Sequence, residues 1–235
     1  PPYTQSSKIY DTLMGDVDYA GWCEYLQDIA DEFGFDIDSI YDLSCGTGIF
    51  LHLFPAKQKF GIDISESMVQ KAKLMYPDLQ ISVGNMLHPP LKDVDLYVNI
   101  HDALNYISTF EAIKDHIHYM DTHMKPGQVY VFDFALPGVI HTSFTDMSYE
   151  DTTPDGISFK RHNIYDSKNK QSITNLFIYF PNAEAYHEQH VQYIYDYREI
   201  IKLSEEFPSR TFIFLEEFTF EEAHENSNRL LVIMQ

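Results

Sequence analysis

Residues 40–48 read Ile-Tyr-Asp-Leu-Ser-Cys-Gly-Thr-Gly, an apolar strand that runs straight into a turn of small residues. One short segment later a second strand, Lys59-Phe-Gly-Ile-Asp63, ends on a carboxylate. Apolar strands that alternate with helical segments belong to a parallel sheet with helices on both faces. Such sheets bind ligands beyond the carboxyl ends of their strands. The small-residue turn lets a ligand come close to the backbone, and Asp63 can accept hydrogen bonds from both hydroxyls of a ribose. Together the two strand ends fit a nucleoside-containing cofactor.

The same alternation continues along the chain. Apolar residues at helical spacing over 9–14 and 19–30 predict two N-terminal helices, the second stopped by Gly34. Further strands are expected at 79–83, 94–100 and 128–134. Helices are expected at 48–54, 65–75 and 109–124, with Ser65 as an N-cap. Polar residues gather at the ends of these strands: Asp42, Asp63, Gly84-Asn85, Asn99 to Asp102 and Asp133. Beyond Phe134 the texture changes. Residues 157–165, 171–180 and 186–195 are rich in Ile, Phe, Tyr and Val and are separated by turn sequences, which predicts an antiparallel meander. A helix over 197–207 and strands over 210–220 and 229–234 complete the pattern. The chain reads as one domain, 1–235, with an N-terminal helical cover at 1–36 and an inserted antiparallel lid at 137–196.

A dinucleotide site is the obvious rival. Its fingerprint, Gly-x-Gly-x-x-Gly, needs a third glycine, and Gly46 and Gly48 are followed by Leu51. Charge narrows the partners. The net charge of -20, from 36 acidic and 16 basic side chains, repels phosphate backbones and anionic membranes, so neither a nucleic acid nor a membrane is expected as partner. No apolar run reaches membrane-spanning length, and the opening Pro-Pro-Tyr-Thr-Gln-Ser-Ser-Lys has no apolar signal region, which makes the cytoplasm the expected setting. Two cysteines, Cys23 and Cys45, form no disulfide framework. His116 and His118 do not share a helix face. His187 and His190, near Glu184 and Glu188, lack a four-ligand spacing. No metal is expected.

The segments Asp42-Leu-Ser-Cys-Gly-Thr-Gly48, Gly61-Ile-Asp-Ile-Ser-Glu-Ser-Met68, Gly84-Asn-Met86, Asp102-Ala-Leu-Asn-Tyr106 and Phe132-Asp-Phe134, with Tyr10-Asp-x-Leu-Met14, Asp18-Tyr19 and Trp22 before them, resemble the class I S-adenosylmethionine (SAM)-dependent methyltransferases of the small-molecule type. The resemblance covers nearly the whole chain. It implies an α/β fold: a seven-stranded, mostly parallel Rossmann-like sheet with helices on both faces, its last strand antiparallel, and a small antiparallel β insertion. It implies SAM as cofactor, held by Tyr10, Asp42, Ser44, Gly46, Gly48, Asp63, Ile64, Met68, Asn85, Met86 and Asn99. In that assignment Asp63 takes the ribose, and Met68 and Ile64 pack about the adenine. Asn85 replaces the family's common Asp near the adenine amino group, and the Met86 backbone meets the ring. Asn99 and Ile100 lie near the methionine amino and carboxylate groups, with Tyr10 reaching the carboxylate. Ser44 stands where the family usually has glycine. Its hydroxyl contacts the cofactor, or its Cβ crowds it.

A sulfonium methyl is already activated, so the protein has mainly to align an acceptor lone pair and exclude water. An amine must arrive unprotonated, whereas a hydroxyl benefits from a general base. The base candidates are His101, Asp102 and Asp133. The expected activity is methyl transfer to a nitrogen or oxygen of a small molecule. The alternatives are a SAM-binding protein that has lost catalysis and a protein or RNA methyltransferase; against the last, Ile100-His-Asp-Ala103 stands where an Asn-Pro-Pro-Tyr signature would hold a flipped base. The predicted lid is aromatic (Phe159, Tyr165, Phe177, Tyr179, Phe180, Tyr186, Tyr193, Tyr195 and Tyr197). One face is expected on the body, and the other lines an acceptor pocket or meets a second subunit in a homodimer through the inserted sheet.

Overall fold

The computed structural model describes residues 3–140 and 147–235. A 3-10 turn (Ser6–Lys8) and α1 (Tyr10–Leu13) lead to α2 (Tyr19–Phe33). Then come β1 (Ser39–Asp42), α3 (Ile49–Leu53), β2 (Gln58–Asp63), α4 (Glu66–Met75), β3 (Gln80–Val83) and β4 (Leu96–Asn99). A second 3-10 turn (Ala103–Tyr106) precedes α5 (Phe110–His123) and β5 (Val129–Ala135). After α6 (Pro137–Val139) four strands follow: β6 (Ser148–Thr152), β7 (Ser158–Asp166), β8 (Gln171–Tyr179) and β9 (Ala185–Tyr193). The chain continues through α7 (Tyr197–Ile200), α8 (Leu203–Glu206), β10 (Phe212–Glu216) and β11 (Arg229–Met234). Residues 1–2 of the expected helical cover and 141–146 of the expected lid lie outside the described residues.

The main sheet runs β10-β11-β5-β4-β1-β2-β3, and β11 is antiparallel to both of its neighbours. This is the expected seven-stranded, mostly parallel Rossmann-like sheet. Its central strands are buried on both faces, and their side chains sort by size. Tyr41, Tyr97, Tyr130, Phe132 and Phe134 pack toward α5, whose Ile113, Ile117 and Met120 face them. The intervening aliphatics Ile40, Leu96, Val98, Val129 and Val131 pack toward α2, α3 and α4 through Leu26, Ile29, Leu51 and Val69. The period-2 alternation therefore decides which polar strand-end residues reach which layer. Asn99 shares the α5 face with Tyr97 and Tyr130, and Asp133 shares the opposite one with Val129 and Val131. Helix starts follow side-chain caps: Asp18 accepts from Gly21 N, Ser65 from Met68 N and Thr109 from Ala112 N.

Three expectations need correction. The helix over 197–207 is two short ones, because Ser204 N and Oγ both bond the Ile201 carbonyl and Glu205 N turns to Lys202 O, replacing the i→i−4 ladder. The strand over 210–220 stops at Glu216, where Thr219 folds back onto the Glu216 carbonyl and Phe218 takes φ +60°. The inserted sheet has a fourth strand, β6, whose Ser-Tyr-Glu-Asp-Thr sequence is exposed throughout and so carries no apolar alternation to read.

The insertion is a separate antiparallel sheet of order β6-β7-β8-β9. Its register puts Phe159, Arg161, Asn163 and Tyr165 on one face with Ser172, Thr174, Leu176 and Ile178 of β8 and with Glu188, His190 and Gln192 of β9. This is the inner face: Phe159, Leu176 and Ile178 pack on Ile9 and Leu13 of the N-terminal segment. The aromatics of the lid divide between the two faces, with Phe177 and Tyr179 on the outer one, and the middle of the inner face is polar.

Candidate cofactor site

The β1–α3 turn and the end of β2 are locked together. Asp63 Oδ2 accepts from Gly46 N at 2.9 Å and Oδ1 from Ser65 N at 2.8 Å. Gly46 has φ +52° and Gly48 φ +79°. At Gly48 a Cβ would also stand 3.0 Å from Ile81 Cδ1, so both positions need glycine. Burial raises the Asp63 pKa, while the bonds from Ser65 and Gly46 oppose the shift. Asp42 accepts from Ser44 N at 2.9 Å, and burial pushes it up to about 7.

A cavity of about 450 Å3 opens above these strand ends, within the size range of small-molecule sites. Of the residues expected to hold a cofactor, Tyr10, Ser44, Gly46, Asp63, Ile64, Met68, Asn85 and Met86 line it, as do His101 and Ile100. Asp42, Gly48 and Asn99 do not; they sit behind it and shape the turn. Met68 is buried at the wall, whereas Ile64 is 55% exposed. Asn85 Oδ1 already accepts from Leu87 N at 3.0 Å, and a carbonyl oxygen has a second lone pair for a ligand.

Asn99 belongs to a buried chain of hydrogen bonds that ends at the cavity. Tyr130 Oη donates to Asn99 Oδ1 at 2.6 Å, and Asn99 Nδ2 donates to Ser44 Oγ at 3.0 Å. His116 Nε2 lies 2.8 Å from Tyr130 Oη and Nδ1 3.3 Å from the Leu87 carbonyl, two contacts that share the one N–H of a neutral ring. Burial lowers the His116 pKa to about 4, so the ring is neutral at pH 7. Ser44 accepts from Asn99 at the end of this chain, and its hydroxyl also bonds the neighbouring Asp42 carboxyl, which fixes the side chain at the cavity wall.

Of the three base candidates, only His101 lines the cavity. Burial lowers its pKa to about 3, and its ring lies edge-on to Tyr19 and Trp22. Asp102 pairs with Arg229 of β11. Asp133 accepts from the backbone N of His101 and Asp102 at 3.0 and 2.8 Å. Both latter residues have positive φ, +64° and +60°, a conformation that side chains disfavour. Geometry therefore makes Asp102 and Asp133 the supports of a strained turn and keeps them from the cavity.

Tyr106 closes the cavity on its far side, within hydrogen-bond reach of the Tyr3 hydroxyl. Past Tyr106 and Ser108 a second cleft of about 510 Å3 begins, walled by Glu188, Gln189, His190, Val191 and Tyr193 of β9. Asn105 pins the two together. Its Nδ2 donates to Tyr193 O at 2.8 Å and to Ala135 O at 3.2 Å, and its Oδ1 accepts from Ala135 N. Glu188 ties β9 to the N-terminal segment through Ser6 Oγ at 2.6 Å and the backbone N of Gln5 and Ser6. Sequence reasoning missed Tyr3, Tyr106, His190 and Arg229 as site residues. Tyr106 lies inside a recognised motif and His190 inside a histidine pair, but nothing in the sequence marks Tyr3 or Arg229.

Residues 40–127 match the sequence family described as a methyltransferase domain. A curated relative, the dTDP-3-amino-3,4,6-trideoxy-alpha-D-glucopyranose N,N-dimethyltransferase of Streptomyces venezuelae, is 26% identical over 119 residues, which are 49% of this chain and 50% of the relative. The match thus spans about half of that relative's length. Among solved structures, a SAM-dependent methyltransferase from Clostridium acetobutylicum superposes with TM-score 0.81 at 17% identity, covering 100% of this chain and 99% of the other. A SAM-bound amino pentose methyltransferase from Micromonospora echinaspora gives TM-score 0.71 at 15% identity, with 96% of each chain covered. Residues 40–127 are thus similar to the methyltransferase-domain family, in a chain that shares the Rossmann-like fold of solved SAM-dependent methyltransferases.

Proposed function

We propose that the protein transfers a methyl group from SAM to the nitrogen of a small-molecule amine. The observation that carries this reading is the pair of adjoining cavities. One is built on the ends of β1, β2 and β4 with Asp63 at its base; the other opens beyond Tyr106 and Ser108 under the inserted sheet. Bound in the first, SAM supplies a methyl on a positively charged sulfur, ready to pass to a lone pair in line with the C–S bond. Asp63 would hold the ribose, Ile64, Met68 and Asn85 the adenine, and Ser44 and Tyr10 the methionine end. Tyr3, Tyr106 and the lid exclude water from the reacting groups.

Nitrogen is favoured over oxygen by what the cavity lacks among the described residues. Asp63 accepts from two backbone N–H groups and is assigned to the ribose, and Asp102 and Asp133 are turned to Arg229 and the 101–102 turn. A hydroxyl acceptor would want such a carboxylate free as base, whereas an amine needs only to lose a proton. The relative from Streptomyces venezuelae and the Micromonospora neighbour bear names of amino-sugar methyltransferases, in support of an amine on a small polar ring. A protein of charge -20 also draws cations and repels nucleic acids. The test is mass spectrometry of a panel of aminodeoxy sugars and their hydroxy counterparts, incubated with methyl-labelled SAM. Labelled amines are expected. Label confined to the hydroxy compounds would overturn the choice of nitrogen, and a protein that binds SAM but labels nothing would point to lost catalysis.

A further inference from the structure

Resting on that reading, we propose that His190 of the inserted sheet is the proton acceptor of the site, and that the cleft between β9 and Tyr106–Ser108 takes the acceptor through its protonated amine. The register of β7, β8 and β9 places His190 on the inner face, opposite Thr174. The residue is 5% exposed, yet among the described residues neither ring nitrogen has a hydrogen-bond partner. Glu188 Oε2 is 3.6 Å from Nε2, longer than a hydrogen bond. A buried polar group left unpaired costs about 1–3 kcal/mol, and such groups in native proteins call for an explanation. Here it lies in the cleft wall. The His190 ring lies 4.4 Å from that of Tyr3 and 6.4 Å from that of Tyr106, centroid to centroid, and both tyrosines also line the cofactor cavity. One aromatic ring thus separates His190 from the cofactor site.

The groups that face His190 from each packed element are committed elsewhere. Thr174 donates to Asn163 Oδ1. Burial raises the pKa of Tyr3 and of Tyr106, so both stay protonated. Burial opposes ionisation of Glu188 on β9, but the neighbouring His190 imidazole and the bonds from Ser6 and the Gln5 and Ser6 backbone outweigh it and hold its pKa at about 2. Arg161 on β7 is a cation on this face near the tyrosines, and it bonds Asn163. A fixed carboxylate and aromatic faces suit a cationic amine, and the His190 imidazole carries a ring nitrogen able to accept a proton.

The step balances as follows. His190 takes one proton from the bound ammonium, which frees the nitrogen lone pair. That pair forms the N–C bond while the electrons of the C–S bond leave with sulfur, giving a methylated ammonium and a neutral thioether. His190 then returns its proton to solvent through the open cleft.

The experiment compares wild type with His190→Gln and His190→Asn, using an aminodeoxy-sugar panel and S-adenosylhomocysteine as binding probe. Both variants should bind S-adenosylhomocysteine within about twofold of wild type by calorimetry, which also reports folding. Their kcat/KM for the amine should fall about 100-fold at pH 7. The deficit should close as pH rises past the pKa of the free amine, since the acceptor then arrives unprotonated. A merely structural role would give a deficit that does not close. Wild-type rates in the variants at pH 7, a pH-independent loss, or a wild type that binds S-adenosylhomocysteine and methylates no amine would each overturn the proposal. A wild type that binds no S-adenosylhomocysteine would overturn the cofactor reading beneath it, and this inference with it.

Discussion

Asp63 at the end of β2 and Ser44 in the β1–α3 turn bear most directly on cofactor binding. Asp63 joins the turn to β2 through Gly46 N and Ser65 N and still lines the cavity. Asp63→Ala should weaken SAM binding by about 1.5–3 kcal/mol, the scale of a hydrogen bond to a charged group; equal affinities in calorimetric titration would remove the ribose assignment. Ser44 is the more informative position. Read in sequence, its replacement of the usual glycine left open whether the side chain holds or crowds a cofactor. The buried chain His116–Tyr130–Asn99–Ser44 ends on the serine hydroxyl and holds it in place at the cavity wall. Ser44→Ala and Tyr130→Phe should each weaken SAM binding by about 0.5–1.5 kcal/mol, and the double variant should lose less than the sum because the two act through one chain. Strict additivity in a double-mutant cycle would show that the chain does not set the serine. Strand periodicity puts Tyr130 and Asn99 on one face, but their meeting with His116 depends on how α5 lies across the sheet, which no local pattern contains.

At the scale of elements, the last strand is tied to the site by charge. Arg229 on β11 pairs with Asp102 and lies 3.9 Å from Asp133 and 3.7 Å from Glu217. Burial pushes Glu217 up to about 7 and raises Asp133, with the arginine opposing both shifts. Arg229→Ala would leave three carboxylates without their cation beneath a turn of two positive-φ residues, at a cost of about 3–5 kcal/mol in denaturant unfolding. The sign with pH is fixed. A carboxylate whose folded pKa lies above its unfolded value favours the fold at low pH and loses that contribution as pH rises through the folded pKa. The deficit of Arg229→Ala should therefore be smaller near pH 5 than near pH 8, and a deficit that grows on acidification would contradict the cluster. Elements with their own signals, such as α4 with its Ser65 cap and the buried β5, sit close to where apolar period and capping chemistry place them. β6 escaped because an exposed edge strand needs no apolar alternation. The helix read across 197–207 failed because Ser204 diverts a carbonyl that periodicity assumes is free.

Across the whole molecule, two histidines buried neutral set an acid limit. His101 and His116 have folded pKa values lowered by burial to about 3 and about 4, from 6.5. A histidine so depressed contributes stability that is present above pH 6.5 and lost as pH falls toward its folded pKa. Thermal melts from pH 7 to 4 should show a smaller fall for His116→Gln, which keeps a polar partner for Tyr130 but takes no proton, than for wild type; parallel curves would exclude His116 from the acid limit. What the sequence by itself determined is the part built from local rules: the parallel sheet, from strands alternating with capped helices; the gathering of polar residues at one edge, from the strand ends; and the expectation of a nucleoside ligand, from the glycine turn and the carboxylate that follows it. What only the tertiary structure decided is which of those polar residues face the ligand. Asp102 and Asp133 stand at the reactive edge in sequence, yet an arginine about a hundred residues further on turns them inward. His190 and Tyr3 belong to segments far apart in the chain and reach the site only because β9 folds back over the N-terminal segment. Local sequence fixes which way a side chain points from its own strand or helix, and long-range packing fixes what it then meets.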